Sequence, residues 1–359
     1  MVTVSVPAPA PVALARRRVR AALAWLHLWM GLGAGLLFAL LGLSGSVLTF
    51  HTELLRWQQP QLFAHAPRVD ASVLERVYAE WTPQGLTALD LPRPSLPVWQ
   101  GYFADGSRRY FAPADGELLL VRSAGNDPLM WLHELHTHFL AGETGEQVVG
   151  VVGWIALFML LSGLYLWWPK LARLRSHLRV YSGPPTRRWL SWHRSSGVLL
   201  LPLLLLATLT GVGMVYPKLA RSLLTTAFGG PPAPSAPAAP AAAPDWPRIL
   251  AGARRAWPHG ELVRVAPPKN GVVTLRVRDP REWHPNGRSL LFVDAGGRVL
   301  GRYDATAQAA GVRMEAAIYP LHIAAVGGWP YRIAVAATGL LPAFLLVTGF
   351  LFWRRRRGR

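Results

Sequence analysis

The chain has 359 residues, 51% of them hydrophobic and only 16% charged, and it contains no cysteine. Without cysteine, disulfides, thiolate metal sites, iron–sulfur clusters and covalent c-type haem attachment are excluded. The net charge of +19 does not point to nucleic acid, because the excess sits beside apolar runs: Arg16, Arg17, Arg18 and Arg20, then residues 169–189, then residues 354–359, segments with no Asp or Glu.

In chain order, residues 1–20 form a tail whose Pro, Ala and Val content over 1–15 predicts disorder. Residues 21–51 form a first apolar run, long enough for a bilayer, which needs about 20 residues. It lacks a small-residue cleavage site and is read as a retained helix rather than a leader. It opens on His27, with Gly31 and Gly35 following at i+4 and i+8. Such a row lets a neighbouring helix or a flat cofactor approach. Residues 52–130 read as a small α+β domain, with a helix over 70–81 and strands over 98–103, 109–112 and 117–121. Asp105-Gly106 and Asp115-Gly116 are hairpin turn dipeptides.

An interfacial helix over 131–145 carries His136, followed by a second span over 146–168, a basic loop over 169–189 and a third span over 190–216. Residues 217–330 hold a Pro/Ala linker at 230–244, a helix near 246–257 and strands over 272–278, 289–293 and 298–303. A fourth span covers 331–353 and a basic tail 354–359. The basic clusters follow the positive-inside pattern, which places both termini and the middle loop in the cytoplasm and segments 52–145 and 217–330 outside. A multi-pass protein of the bacterial plasma membrane is expected. The tryptophans at the span ends fit an aromatic belt.

The chain repeats itself. From His27, Gly31 lies at +4, Gly45 at +18 and Phe50 at +23; from His193, Gly197, Gly211 and Tyr216 lie at the same offsets. From His136, Gly142 lies at +6, Gly163 at +27 and Trp167 at +31, matched from His322 by Gly328, Gly349 and Trp353. The expected fold is therefore an integral membrane α-helical protein with four transmembrane helices in two pseudo-two-fold repeats, each carrying a small α+β outer domain.

A histidine at a membrane span is a functional hypothesis by default. His27 and His193 both begin outward-going helices; His136 and His322 both precede inward-going ones. The two-fold then pairs His27 with His193 and His136 with His322. Facing neutral imidazoles inside a helical bundle suit bis-histidine ligation of a b-type haem, giving two haems per chain. Arg194 and Arg332 are candidate partners for haem propionates. His133, with His136 at i+3, offers an alternative site for zinc or copper, and His51 and His138 are nearby alternative ligands. No P-loop, nucleophile elbow or dinucleotide fingerprint occurs in a convincing context.

Leu26-His27…Gly31, Leu135-His136…Gly142-Glu143-Thr144-Gly145, Ser162-Gly163-Leu164-Tyr165-Leu166-Trp167-Trp168-Pro169, Trp192-His193-Arg194…Gly197, Leu321-His322…Gly327-Gly328 and Thr348-Gly349-Phe350-Leu351-Phe352-Trp353 together resemble the PepSY-associated transmembrane family. The resemblance covers nearly the whole chain and is looser in the outer segments, which look like PepSY modules. Leu28 stands where an arginine often follows the first histidine in that family. The family includes iron-regulated inner-membrane proteins and di-haem reductases of ferric siderophores. It implies one-electron reduction of a ferric siderophore or other ferric chelate at the outer face, with an electron donor that the residues do not identify. Two other readings are a non-enzymatic membrane module that binds or regulates a partner such as a protease, and a metal permease using the histidines as transfer sites.

Overall fold

The computed structural model describes residues 11–169, 171–232 and 234–357. Lys170, Arg359 and the first ten residues of the expected disordered tail lie outside them. Residues 11–15 are helical rather than disordered: Ala and Leu are strong helix formers, and Pro11 sits at the helix start, where its missing N–H is harmless.

The helices are α1 (Pro11–Gly33), α2 (Gly35–Leu48), α3 (His51–Gln58), α4 (Ala71–Trp81), α5 (Pro128–His138), α6 (Gly142–Trp167), α7 (Leu174–Leu178), α8 (Pro185–Leu199), α9 (Leu201–Val215), α10 (Pro217–Phe228), α11 (Trp246–Ala256), α12 (Ala310–His322), α13 (Gly328–Gly339) and α14 (Leu341–Arg357). α6, and α13 with α14, are long and apolar enough to cross a membrane. α1 with α2 and α8 with α9 meet the same test only as bent pairs, with bends of 57° and 64°. Where single spans are expected over 21–51 and 190–216, the chain forms two helices that meet at a sharp bend. Gly33 and Gly35 flank the first break, and Pro202, which cannot donate a backbone hydrogen bond, follows the second. Both breaks fall seven residues after a histidine, at Ala34 and Leu200.

Eight strands form one sheet: β1 (Leu86–Asp90), β2 (Trp99–Phe103), β3 (Arg108–Phe111), β4 (Leu118–Arg122), β5 (Glu261–Val265), β6 (Val272–Arg278), β7 (Ser289–Asp294) and β8 (Val299–Tyr303). The order is β4-β3-β2-β1-β5-β6-β7-β8, antiparallel throughout. The two outer segments therefore do not stand apart. Each supplies a four-stranded meander, and the meanders join where Leu89 pairs Val265 and Asp90 pairs Arg264.

Strand alternation sorts the two faces of this sheet. Trp99, Phe103, Phe111, Val265, Val273, Leu275 and Leu291 point to one face, where α4 and α11 cover them in the main core. Asp90, Gln100, Tyr102, Arg108, Tyr110, Arg264 and Arg276 occupy the opposite register. Of these, Gln100, Tyr102, Arg108 and Tyr110 line a cavity whose other wall is the end of the helical bundle that carries His136 and His322. The sheet is a roof over the helices.

Arg122 ties roof to bundle. It is 1% exposed and makes a bidentate pair with Asp127, at 2.7 and 2.9 Å, while donating to Tyr110 Oη. Asp127 also caps α5 through the Met130 N–H, so one buried carboxylate fixes the helix that carries His136.

Candidate functional site: two facing imidazole pairs

The rings of His27 and His193 face each other with centroids 6.3 Å apart and planes at 87°. Those of His136 and His322 are 6.1 Å apart with planes at 40°. His27 lies within α1 and His193 within α8; His136 and His322 lie in the last turns of α5 and α12.

Each ring sits on a glycine of a neighbouring helix. A Cβ at Gly163 would be 3.1 Å from His27 Cε1, at Gly45 2.9 Å from His136 Cε1, at Gly211 3.1 Å from His322 Cε1 and at Gly349 3.3 Å from His193 Cε1. These glycines are ring seats, not helix–helix notches. Gly42 and Gly339 are the packing kind: a Cβ on Gly42 would meet the Gly339 carbonyl at 2.3 Å.

The residue before each seat holds the ring's Nδ1. Ser162 Oγ lies 2.9 Å from His27 Nδ1 and Ser44 Oγ 3.0 Å from His136 Nδ1. Thr210 Oγ1 lies 3.1 Å from His322 Nδ1 and Thr348 Oγ1 3.4 Å from His193 Nδ1. These four hydroxyls were not singled out in the sequence, although a Ser/Thr-Gly dipeptide in each span was the visible signal.

The partners also fix the tautomer. His193 Nδ1 faces the Leu345 carbonyl at 3.0 Å, and His322 Nδ1 faces the Ala207 carbonyl at 3.1 Å. A carbonyl only accepts, so these rings donate from Nδ1. Ser44 Oγ gives its own hydrogen to the Leu40 carbonyl, and Ser162 Oγ gives its hydrogen to that of Met159. His136 and His27 therefore donate as well. Each of the four rings keeps its lone pair on Nε2, and none of these Nε2 atoms is engaged in a hydrogen bond among the described residues. That is the arrangement of a metal-binding imidazole, with the second nitrogen held by the protein.

The spacing fits a shared metal. Two metal–nitrogen bonds of about 2 Å, plus about 1.1 Å from each nitrogen to its ring centre, would put the centroids of two imidazoles that share a metal about 6 Å apart at most. No group of three or more His, Asp or Glu is gathered for a metal among the described residues. Each pair offers two imidazole nitrogens and no third protein ligand among the described residues.

A cavity of about 810 Å³ opens on the outer pair, with His136, His322, Gly45 and Gly211 on its floor. His51 and His133 line it too, but neither is one of the two facing rings. Burial first, and then the charge of Arg108, bring His133 down to about 4. His138 turns to Glu134 and Thr137. Arg332 also lines the cavity, but its guanidinium is matched by Glu53 at 2.6 and 2.7 Å and its Nε donates to the Thr49 carbonyl. Arg194 keeps a buried Nε with no hydrogen-bond partner. Of the polar residues on the expected outer strands, Tyr102 and Arg108 reach the cavity, whereas Trp99 is in the core and Arg109 lies over the Trp81 and Phe103 rings.

The family model for the PepSY-associated TM region matches residues 24–356. No curated protein matches the chain.

Proposed function

Because the chain belongs to the PepSY-associated TM family, a family of membrane proteins, we propose that it is a di-haem b electron-transfer protein that reduces a ferric siderophore or similar ferric chelate at the outer face. The observation that carries this reading is the pair of facing imidazole sets at 6.3 and 6.1 Å, all four rings with Nδ1 held and Nε2 free. His27 with His193 would hold one haem and His136 with His322 the other. An iron held by two imidazoles within a porphyrin exchanges one electron without changing its ligands. One electron, taken from a separate one-electron donor at the His27/His193 end and passed to the His136/His322 end, would turn chelated Fe(III) into Fe(II), which hard oxygen ligands hold less well.

The chain's own residues orient the imidazoles, keep them in the ligating tautomer and line the outer space where a chelate could approach. Arg194, with its orphaned Nε, is the better carboxylate partner for a propionate; Arg332 would have to share its charge with Glu53. The proposed topology has four spans in two parallel halves, both termini cytoplasmic, and the sheet outside a bacterial inner membrane. The acid-free basic segments and the position of the sheet above one end of the helices support it.

The test is the haem content and spectrum of the detergent-purified protein after haem-replete expression. Two b-type haems per chain, reducible and six-coordinate, are expected. A colourless protein overturns the proposal and favours a module without redox chemistry.

A further inference from the structure

We propose that the cavity beneath the sheet selects chelates of net negative charge, the polycarboxylate and catecholate class, over neutral or cationic hydroxamates. This rests on the chelate-reductase reading and names the substrate class of that site.

The sheet face above the outer imidazole pair is strongly basic. Alternation along β3, β5 and β6 puts Arg108, Arg264 and Arg276 on it. Arg93 and Arg288 join from the neighbouring loops, lining the large cavity and a smaller adjoining one respectively. Tyr319, three residues before His322, lines both cavities and lies within the field of Arg108, Arg264, Arg93 and Arg288.

Few acids balance these cations. Asp90 takes Arg264 in a bidentate pair and stands 4.0 Å from Arg93. Glu315 shares the smaller cavity with Arg288 but is paired with Arg221 at 3.3 Å. Arg93 otherwise donates to Asn286 Oδ1 and the Pro285 carbonyl. The guanidinium groups of Arg108, Arg276 and Arg288 have no carboxylate partner among the described residues, although the Arg288 backbone N–H donates to Glu282, and Arg288 Nε is buried without any partner; Glu146, on the wall of the large cavity, makes no ion pair with them. The field acts on its surroundings: after burial, the charges of Arg288, Arg276, Arg264 and Arg93 help bring His284, stacked on Tyr319 at 4.8 Å, down to about 3.

Arg108, on the large cavity, and Arg288, on the smaller one, are unmatched cations facing a partly enclosed space, which is costly unless an anion completes them. They also concentrate anions there. The floor of the cavity is the outer imidazole pair, so a ligand beneath the sheet lies between the basic face and those rings. A ferric complex carrying surplus carboxylate or catecholate charge satisfies the roof while its metal approaches the floor. A cationic hydroxamate complex meets repulsion.

Carboxylates could instead come from haem propionates, so the experiment separates the two sources. Gallium(III) complexes mimic the ferric ones but do not accept an electron, so binding is read apart from reduction. The purified full-length protein is titrated with gallium citrate, a gallium tricatecholate and gallium desferrioxamine B, following tryptophan fluorescence at low and high salt. The anionic complexes should bind about tenfold or more tighter than the cationic one, with an advantage that shrinks as salt rises. Arg108→Gln with Arg288→Gln should reduce anionic affinity about tenfold while haem content and midpoint potentials stay put. Equal or tighter binding of the cationic complex overturns the proposal, and this comparison needs no variant. So does a variant that loses haem or shifts a potential with anionic affinity unchanged, which assigns the arginines to propionates. Selective anion binding by a colourless protein would uphold the basic roof while overturning the di-haem reading.

Discussion

The inner and outer imidazole pairs share their ligand chemistry and differ in almost everything around it. All four rings donate from Nδ1 and rest on a glycine. The inner rings, however, are held within the long helices α1 and α8, at nearly perpendicular planes of 87°. The outer rings end short helices that turn through left-handed residues, Phe139 and Leu140 after His136 and Ala324 after His322, and their planes lie at 40°. A mid-helix side chain has a direction fixed by regular backbone on both sides. One at a helix end depends on its cap and on a turn that non-glycine residues adopt at some strain. The outer pair also opens on the 810 Å³ cavity and the basic roof. The molecule thus keeps one way of holding an imidazole and varies access to it.

Removing a ligand gives the largest effect. His322→Ala should abolish the outer haem and leave the inner, halving haem per chain; His193→Ala should do the reverse. Resolved redox titration of each variant identifies which site remains. Loss of both haems from either variant, in a protein that is still monodisperse, would break the independence of the two pairs.

The glycine seats give the next effect, graded by geometry. A Cβ at Gly45 would reach His136 Cε1 at 2.9 Å, whereas one at Gly349 would stand 3.3 Å from His193 Cε1. Overpacking a tight contact costs about 1–3 kcal/mol. Gly45→Ala should therefore weaken the outer site by about tenfold or more in haem affinity, and Gly349→Ala should fall at the low end of that range. Haem-transfer kinetics to an apo-globin acceptor measure both. An equal loss at the two sites would mean that their clearances do not matter.

How much of this was legible before the structure follows from what spacing can encode. Apolar runs and the offsets from His27, His136, His193 and His322 are properties of the chain itself. Their meaning is not: Gly42 and Gly45 look alike in a span, yet one meets a backbone carbonyl and the other an imidazole. Strands β2, β3, β4, β7 and β8 flank the Asp105-Gly106, Asp115-Gly116 and Gly296-Gly297 turns, and β6 is a run rich in β-branched residues, so these six are readable from local sequence. β1 and β5 were missed. Each lies beside a Trp-led turn and pairs across the two halves, Asp90 with Arg264, and no local pattern encodes a contact between distant segments. The basic roof was hidden for the same reason, because it exists only when both meanders lie in one sheet.

The smallest effect tests whether the hydroxyls matter equally. His136 Nδ1 has Ser44 Oγ at 3.0 Å as its hydrogen-bond partner. His193 Nδ1 has a second acceptor, the Leu345 carbonyl at 3.0 Å, closer than Thr348 Oγ1 at 3.4 Å. Removing the hydrogen-bond partner of a metal-binding imidazole costs about 10–100-fold in affinity, because the ring loses both its orientation and its preferred tautomer. Ser44→Ala removes the side-chain partner of His136 Nδ1 and leaves it the backbone carbonyl of Leu41. The outer site should weaken by about tenfold, with a lower midpoint stability of the bound state. Thr348→Val leaves the carbonyl in place and fills similar volume, so the inner site should change by less than about threefold. The same haem-transfer assay reads both. A large loss at Thr348 with none at Ser44 would reverse the comparison, making the helix-end histidine the better supported of the two.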